Sequence, residues 1–397
     1  MACGAGRDNS VTSPATLEGI QIVIGVTGSI AAVELVKLIH ELRRRGADVR
    51  VVMTAAAAGL VTPDALAYAS GHEVITRISG LVEHVTYCGD EGTADLLLIA
   101  PCTANTLSKI ACGIDDTPVT TFATTAIGSG MPVVIVPAMH HSMFRHPGLQ
   151  ENIRRLQDWG ISVLLPRIDE GKAKMPVQEE IVLWCERAVL GQPLAGKRVL
   201  ITSGPCREKV DDVRVLTTRS SGQMGRALAL EAFRLGADVT VVHHDTFPCV
   251  QNIPAESAAD MRKAVLSRLK RDKGTDFYIS AAAISDFAPV VVEGKIRSGK
   301  PATIALKPLP KLLGEVVEKY HPFTIAFKLD RSPEKAARSM HASGIAMVLM
   351  NPPSTMGSSE GRYALLDDRG TMILEGAKEE IARQVFLRLL PAVASNR

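Results

Sequence analysis

Residues 20–54 read IQIVIGVTGSIAAVELVKLIHELRRRGADVRVVMT. An unbroken apolar run leads into a Gly-containing turn. A helical pattern follows on Ala31, Leu35, Leu38, Ile39 and Leu42, and a second apolar run closes the stretch. Runs without polar alternation suit parallel strands covered on both faces, so the stretch is a βαβ unit. The pattern restarts at Lys197: RVLITSGP reads as a strand, SSGQMGRALALEAFRLG as a helix opened by glycine, and ADVTVVHH as the next strand. The phrases RRGADVRVV and RLGADVTVV nearly superimpose. The expected fold is α/β, with two doubly wound domains and mainly parallel sheets. The joint falls at GQPLAGK (191–197), where Gly and Pro cluster. This places the domains at 20–190 and 191–397, behind a loose tail, 1–19, that has no apolar stretch to act as a signal.

Bulk properties narrow the function. A chain of 397 residues is too long for one ordinary core. The formal net charge of +3 points to neither nucleic acid nor an acidic membrane surface. The apolar runs ADLLLIAP and MPVVIVP fall far short of the roughly 20 residues that span a membrane. Seven cysteines lie scattered without a CxxC pair, which argues against a disulfide framework or a zinc cage and fits a reduced, cytoplasmic setting.

Ligands collect at the carboxyl ends of parallel strands. The informative stretches are therefore the strand-to-helix loops VTGSIAA (26–32), MTAAA (53–57), APCTANT (100–106), PAMHHSM (137–143), SSGQMG (220–225) and AAAISD (281–286). In the first of them Gly28 frees the turn, Ser29 stands at the N-cap, and the N–H groups of Ser29 to Ala31 face outward. That reads either as a plain capped helix or as a phosphate site. The full GxGxxG spacing is missing, and the second strand ends in Met53-Thr54, where a nicotinamide ribose takes an acid. A mononucleotide such as FMN fits better than NAD. Thr103, Asn105 and Thr106 can hydrogen-bond a flavin edge or ribityl chain, or simply form a polar turn.

The stretch VPAMHHSMFRHP (136–147) packs three histidines behind a strand. His140 and His141 are adjacent and diverge, and neither cysteine nor carboxylate accompanies them at ligand spacing, which disfavours a metal. Burying three unpaired imidazoles is costly, which disfavours core. A substrate loop remains.

Taken together, GSIAA, the histidine of EHV, ADLLLIAPCTANTLSKIACGIDDTPVTT and PAMHHSMFRHP resemble the flavin-dependent cysteine decarboxylases. That family includes phosphopantothenoylcysteine decarboxylase of coenzyme A biosynthesis, and the resemblance covers most of residues 20–180. It implies a flavodoxin-like domain holding FMN through Gly28, Ser29, Ile30, Thr54, Thr103, Ala104 and Asn105. It also implies that the flavin oxidises the cysteine thiol end, that the thioaldehyde loses its carboxylate, and that the ene-thiolate is reduced back. The family's active-site histidine maps onto His84, whose imidazole can take or hold a proton near pH 7. The family's substrate loop P-x-M-N-x-x-M maps onto Pro137–Met143, with Met139 and Met143 as substrate contacts. His140 stands in the Asn position and can still donate an N–H to a carboxylate. The flap cysteine of the bacterial family has no counterpart in PRIDEGKAKMPVQEEI (166–181), which is similar to the archaeal branch. Lys172 or Lys174 is left to meet the substrate phosphate, and another acid must reprotonate the intermediate.

GPCREKVDDVRVLTTRSSGQMGRALALEAFRLGADVTVV resembles the Rossmann-like phosphopantothenate–cysteine ligase domain that many microbes fuse to the decarboxylase. The resemblance implies activation of the acid as an acyl-nucleotide, usually with CTP and magnesium, and displacement of CMP by the cysteine amine. Ser220, Ser221 and Gly222 suit a phosphate or carboxylate. Ala282 lets a nucleotide lie close, and Asp286 is available to ribose, base or Mg2+. In EGKIRSGK, Lys295, Arg297 and Lys300 can neutralise a triphosphate, Lys295 matching the lysine that stabilises acyl transfer. Pro310, Lys311, Leu312, Leu313 and Phe327 match nucleotide-site positions. Thr218 stands where the family has the Asn that handles the acyl-nucleotide. Ser339 and Ser343 replace lysines, and Asn351-Pro352-Pro353 replaces N-D-V.

The expectation is a bifunctional coenzyme A enzyme. It ligates 4'-phosphopantothenate to cysteine with CTP, then decarboxylates phosphopantothenoylcysteine to 4'-phosphopantetheine. Its partners are small molecules, and the resemblance implies a homo-oligomer: trimers of the first domain and dimers of the second, building a dodecamer. The alternatives are a flavin-dependent cysteine decarboxylase with an inactive or divergent ligase half, a flavin prenyltransferase, and a flavin-binding regulatory protein. Retained His84 speaks against the last.

Overall fold

The computed structural model describes residues 15–169, 172–271, 274–299 and 301–394. The chain forms two compact units that divide after Leu190.

In the first unit a parallel sheet runs in the order Asp48–Met53, Gln21–Val26, Leu96–Cys102, Val133–Pro137, Ser162–Val163. Every residue of Leu96–Cys102 and Val133–Pro137 is buried, as unbroken apolar runs require. Alternate side chains serve two cores. Ile22, Ile24 and Val26 join Leu35, Leu38, Ile39 and Leu42 of helix Leu35–Arg44. Val23 faces the other way, toward Phe122 of helix Pro118–Gly128. The helical pattern opens as a 3₁₀ turn, Ile30–Glu34, which buries Ala32 in place of Ala31. From Gln21–Val26 the chain steps outward to Asp48–Met53 and then returns to the other side at Leu96–Cys102. The switch point of the sheet therefore lies between the tips of Gln21–Val26 and Leu96–Cys102.

The expected tail needs correcting at its inner end. Leu17 is fully buried in the first core, and its N–H donates to the Arg45 carbonyl at 2.8 Å. The Thr16 hydroxyl donates to Glu186. One leucine in a polar stretch has no periodicity to betray it, yet it fills a core position. Residues 1–14 of that tail lie outside the described residues. Glu186 is completely buried and receives the Arg45 guanidinium at 3.2 Å. Removing Arg45 takes a guanidinium away from this buried carboxylate. Arg45→Met is therefore expected to destabilise the first unit by about 3 kcal/mol, read as a lower urea midpoint. An unchanged midpoint contradicts the structural role of the pair.

The second unit holds an eight-stranded sheet in the order Gln251–Pro254, Asp238–His243, Arg198–Thr202, Phe277–Ser280, Phe323–Leu329, Met347–Asn351, Glu360–Asp367, Gly370–Ala377. The first six strands are parallel, and the last two close the sheet as an antiparallel hairpin. Its switch point lies between Arg198–Thr202 and Phe277–Ser280. Helices Gln223–Arg234 and Lys378–Ala394 pack against each other. Among the described residues no helix is long and apolar enough to cross a membrane.

Candidate active sites

At the first switch point the Thr27 hydroxyl donates to the Pro101 carbonyl at 2.7 Å and accepts the Thr103 N–H at 2.9 Å. This fastens the loops 27–32 and 101–106 to each other. The Thr103 oxygen caps helix Ala104–Ala111 by accepting the Thr106 N–H at 3.3 Å, and its proton goes to the Thr106 hydroxyl. Thr103 therefore builds the loop, while Asn105 beside it is exposed. Thr54 is also a cap: its oxygen accepts the Ala57 N–H at 3.2 Å, and its own N–H donates to the Val26 carbonyl at 3.1 Å. A Cβ on Gly28 would lie 2.7 Å from the Ala56 Cβ, so only glycine lets loop 27–32 rest on segment 54–58. One detail of the expected phosphate turn changes. The Ser29 N–H closes on the Thr27 carbonyl at 2.7 Å, and the 3₁₀ opening sends the Ala32 N–H to Ser29 at 2.9 Å. The N–H groups left outside the helical ladder are those of Ile30 and Ala31. The Ser29 hydroxyl caps nothing, and Ile30 is 72% exposed.

His84 lies on helix Glu83–Cys88, whose entry is pinned by Glu83 accepting the Ser79 N–H at 2.9 Å. Its ring meets the buried Phe122 edge-on, with centroids 6.5 Å apart. Its Nδ1 is buried and has no hydrogen-bond partner among the described residues. An imidazole nitrogen held this way is costly unless something completes it.

Met139–His140 forms a short antiparallel strand with Lys172–Lys174, the inner arm of a hairpin with Arg167–Asp169. The flap segment is thereby joined to the histidine loop, with His140 opposite Lys172 and Met139 opposite Ala173. His140 Nδ1 accepts the Ser142 N–H at 3.3 Å and lies 2.8 Å from the Ser142 hydroxyl, which leaves Nε2 to carry the proton outward. Lys174 reaches diagonally across the two strands to Asp169 at 2.7 Å, and Lys172 is the lysine opposite His140. Met139 packs on the core, and Met143 is 49% exposed.

In the second unit a cavity of about 400 Å³ opens at the strand tips. It brings together Thr218, Ser220, Ser221, Gly222, Ala282, Asp286 and Phe327. Gly222 is left-handed at φ +70°, and a Cβ there would come within 3.3 Å of Gly204 Cα. Glycine thus lets the turn fold over the sheet tip, where the Ser203 hydroxyl donates to the Gly222 carbonyl at 3.1 Å.

Several expected nucleotide residues stand elsewhere. Leu312 is buried in the core with Leu200 and Tyr278, and Leu313 packs on the same cluster, because the first turn of helix Leu312–Tyr320 must cover the sheet. Pro310 is exposed, and the Lys311 ammonium bonds the Asp286 carboxylate. Asp286 thus already faces a cation, which counters the expected Mg2+ role of that carboxylate alone. Among the described residues no group of three or more His, Cys, Asp or Glu side chains is arranged to hold a metal. Ser343 only ends its helix, its hydroxyl donating to the Met340 carbonyl at 2.7 Å. Lys300 lies outside the described residues.

Lys295 is exposed and does not line the cavity, but its loop is clamped. Asp211 accepts the N–H groups of Ile296 at 3.0 Å, Val213 at 2.8 Å and Arg214 at 2.7 Å, and the Arg214 guanidinium at 2.5 Å. The Ile296 N–H, then those of Val213 and Arg214, hold its carboxyl well below the usual range. A depressed acid contributes fully above its unfolded value, about pH 4, and loses that contribution only as pH falls through the lower folded value. Asp211→Asn is expected to speed amide exchange at Ile296 and to slow ligation on the order of ten- to a hundredfold. Carbon dioxide release from supplied phosphopantothenoylcysteine should not change. Unaltered exchange at Ile296 contradicts the clamp.

The cavity also contains Asn351 and three residues that the sequence did not single out, Gln223, Tyr363 and Lys378. The one available signal was a lysine opening a helix immediately before Glu379-Glu380, where the first turn otherwise takes acids.

Two mainly parallel sheets, each with loops gathered at its switch point, define a two-domain α/β protein with a candidate site in each half. Residues 10–189 match the Flavoprotein family, and residues 194–392 match the DNA/pantothenate metabolism flavoprotein C-terminal domain. The coenzyme A biosynthesis bifunctional protein CoaBC of Thermococcus kodakarensis is 42% identical over 388 residues, covering 94% of this chain and 96% of that protein. The proteins of the same name from Methanocaldococcus jannaschii and Escherichia coli are 32% and 29% identical, over 97% and 94% of this chain and 96% and 97% of theirs. The chain belongs to the family of coenzyme A biosynthesis bifunctional proteins.

Proposed function

We propose that the chain carries out two consecutive steps of coenzyme A biosynthesis. The second unit joins 4'-phosphopantothenate to cysteine with CTP and Mg2+. The first unit, with FMN, decarboxylates the resulting phosphopantothenoylcysteine to 4'-phosphopantetheine. The observation that supports this reading is that a chain matching both family models has a cavity at the strand tips of its second sheet and, at the switch point of its first, two loops fastened to each other through Thr27.

The residues of the first unit fit FMN. The Ile30 and Ala31 N–H groups and the Ser29 hydroxyl suit its phosphate, the glycine-freed contact of Gly28 with Ala56 shapes the cradle, and the orphaned Nδ1 of His84 wants a partner. A bound flavin supplies the two-electron oxidation that makes the substrate carboxylate labile. His84 takes or holds the proton at its buried nitrogen. His140, tied at Nδ1 by Ser142, offers the Nε2 proton to the substrate carboxylate, and Lys172 opposite it suits the substrate phosphate. In the second unit, Ser220, Ser221 and Gly222 receive phosphates, and Thr218 stands at the acyl group. Lys295, on its clamped loop, offsets the charge of acyl transfer. Mg2+ arrives with the triphosphate.

Exposed apolar side chains on the first unit support a trimer-based homo-oligomer. Ile30, Leu81 and Val85 are 72%, 78% and 48% exposed, and Tyr68 81%. The reading is tested by flavin absorbance of the purified chain and by pyrophosphate release from phosphopantothenate and cysteine with CTP or ATP. Bound flavin and CTP-driven pyrophosphate are expected. A colourless chain that takes up no FMN overturns the first half, and absence of pyrophosphate with both nucleotides overturns the second.

A further inference from the structure

Lys378 is the first residue of helix Lys378–Ala394, yet its side chain does not reach into water. It is 5% exposed and lines the cavity of the second unit beside the turn Ser220–Gln223. The one hydrogen bond its ammonium makes among the described residues is a long one, 3.4 Å to the Gln223 amide oxygen. An ammonium has three N–H donors, so a single weak amide contact leaves most of its charge unanswered. Its place adds to the cost, since a cation at a helix N-terminus meets the positive end of the helix dipole. Burial holds its pKa below the ordinary lysine range. The cavity supplies no carboxylate in return: Asp286 is the only acid in its lining, and Lys311 already occupies it. The neighbouring Glu379 is exposed and outside the lining.

Three adverse terms at one position are understandable if an anion completes the site. We propose that Lys378 is a phosphate-binding residue of the second unit, its ammonium meeting a phosphate seated on the turn Ser220–Gln223. The proposal rests on reading that cavity as the ligase site. The phosphate can come from the nucleoside triphosphate or from the 4'-phosphate of phosphopantothenate.

The test uses the full chain and two variants, Lys378→Met, which keeps the buried stem without the charge, and Lys378→Arg, which keeps the charge. Inorganic pyrophosphate, CTP and 4'-phosphopantothenate are each titrated by calorimetry. Lys378→Met is expected to weaken one phosphate carrier roughly ten- to a hundredfold, with partial recovery in Lys378→Arg. Loss confined to CTP and pyrophosphate assigns the triphosphate, and loss confined to phosphopantothenate assigns its phosphate. The unliganded Lys378→Met chain should melt no lower than wild type, because the variant removes an uncompensated buried charge. Wild-type affinity of Lys378→Met for all three overturns the proposal. So does a lowered Tm with weakened binding that Lys378→Arg fails to recover, which marks a structural role. A wild-type chain that binds pyrophosphate through Lys378 but forms no phosphopantothenoylcysteine upholds the proposal and refutes the ligase reading. Normal ligation with unaltered binding in Lys378→Met does the reverse.

Discussion

Replacing His84 with Asn is expected to slow decarboxylation by about 10²- to 10⁴-fold while the flavin stays bound. Helix Glu83–Cys88 is positioned by Glu83 and Ser79 and by packing on helix Pro118–Gly128, where Tyr87 stacks on Phe122 beside the imidazole and would keep the contact. Asn fits the space beside Phe122 and keeps a polar group there, so the fold and the phosphate cradle at Gly28–Ala31 should survive. The variant lacks a ring that can exchange a proton near neutral pH. The buried, unpartnered Nδ1 is the atom whose loss matters. The check is carbon dioxide release from phosphopantothenoylcysteine alongside flavin absorbance. A rate within a few-fold of wild type rules out a proton-handling role for His84.

Gly28→Val should produce a colourless chain that ligates but does not decarboxylate. Its Cβ would stand 2.7 Å from the Ala56 Cβ, and the two further methyls make the overlap worse. Loop 27–32 must then lift from segment 54–58. Such overpacking typically costs about 1–3 kcal/mol, and it disrupts the two freed N–H groups proposed for the phosphate. The second unit is compact in its own right, so pyrophosphate release with CTP should persist. Unchanged flavin absorbance in this variant excludes the loop as the FMN cradle.

The sheets were legible because their strands are unbroken apolar runs and the loops between them carry Gly and small polar residues. The rule that ligands gather at strand tips then pointed to the loops holding Gly28, Thr103, Ser220 and Ala282 as candidate sites. What stayed hidden depends on distance along the chain or on the direction of a side chain. Gln223 and Lys378 meet across 155 residues, and nothing local says that the lysine points inward. Leu312 lies in a family motif, but its burial is decided by the sheet it covers. Leu17 is a core residue in a stretch with no apolar pattern around it. Lys174 and Lys172 look equivalent in sequence, and only the folded hairpin shows that Lys174 reaches diagonally to Asp169 while Lys172 stands opposite His140.

One chain is expected to carry both reactions in series. Supplying 4'-phosphopantothenate, CTP, Mg2+ and cysteine labelled at its carboxyl carbon, and counting labelled carbon dioxide against pyrophosphate, tests it most directly. Equal amounts of the two products, with 4'-phosphopantetheine formed, are the predicted result. Pyrophosphate without carbon dioxide, or carbon dioxide only when ready-made phosphopantothenoylcysteine is added, contradicts it.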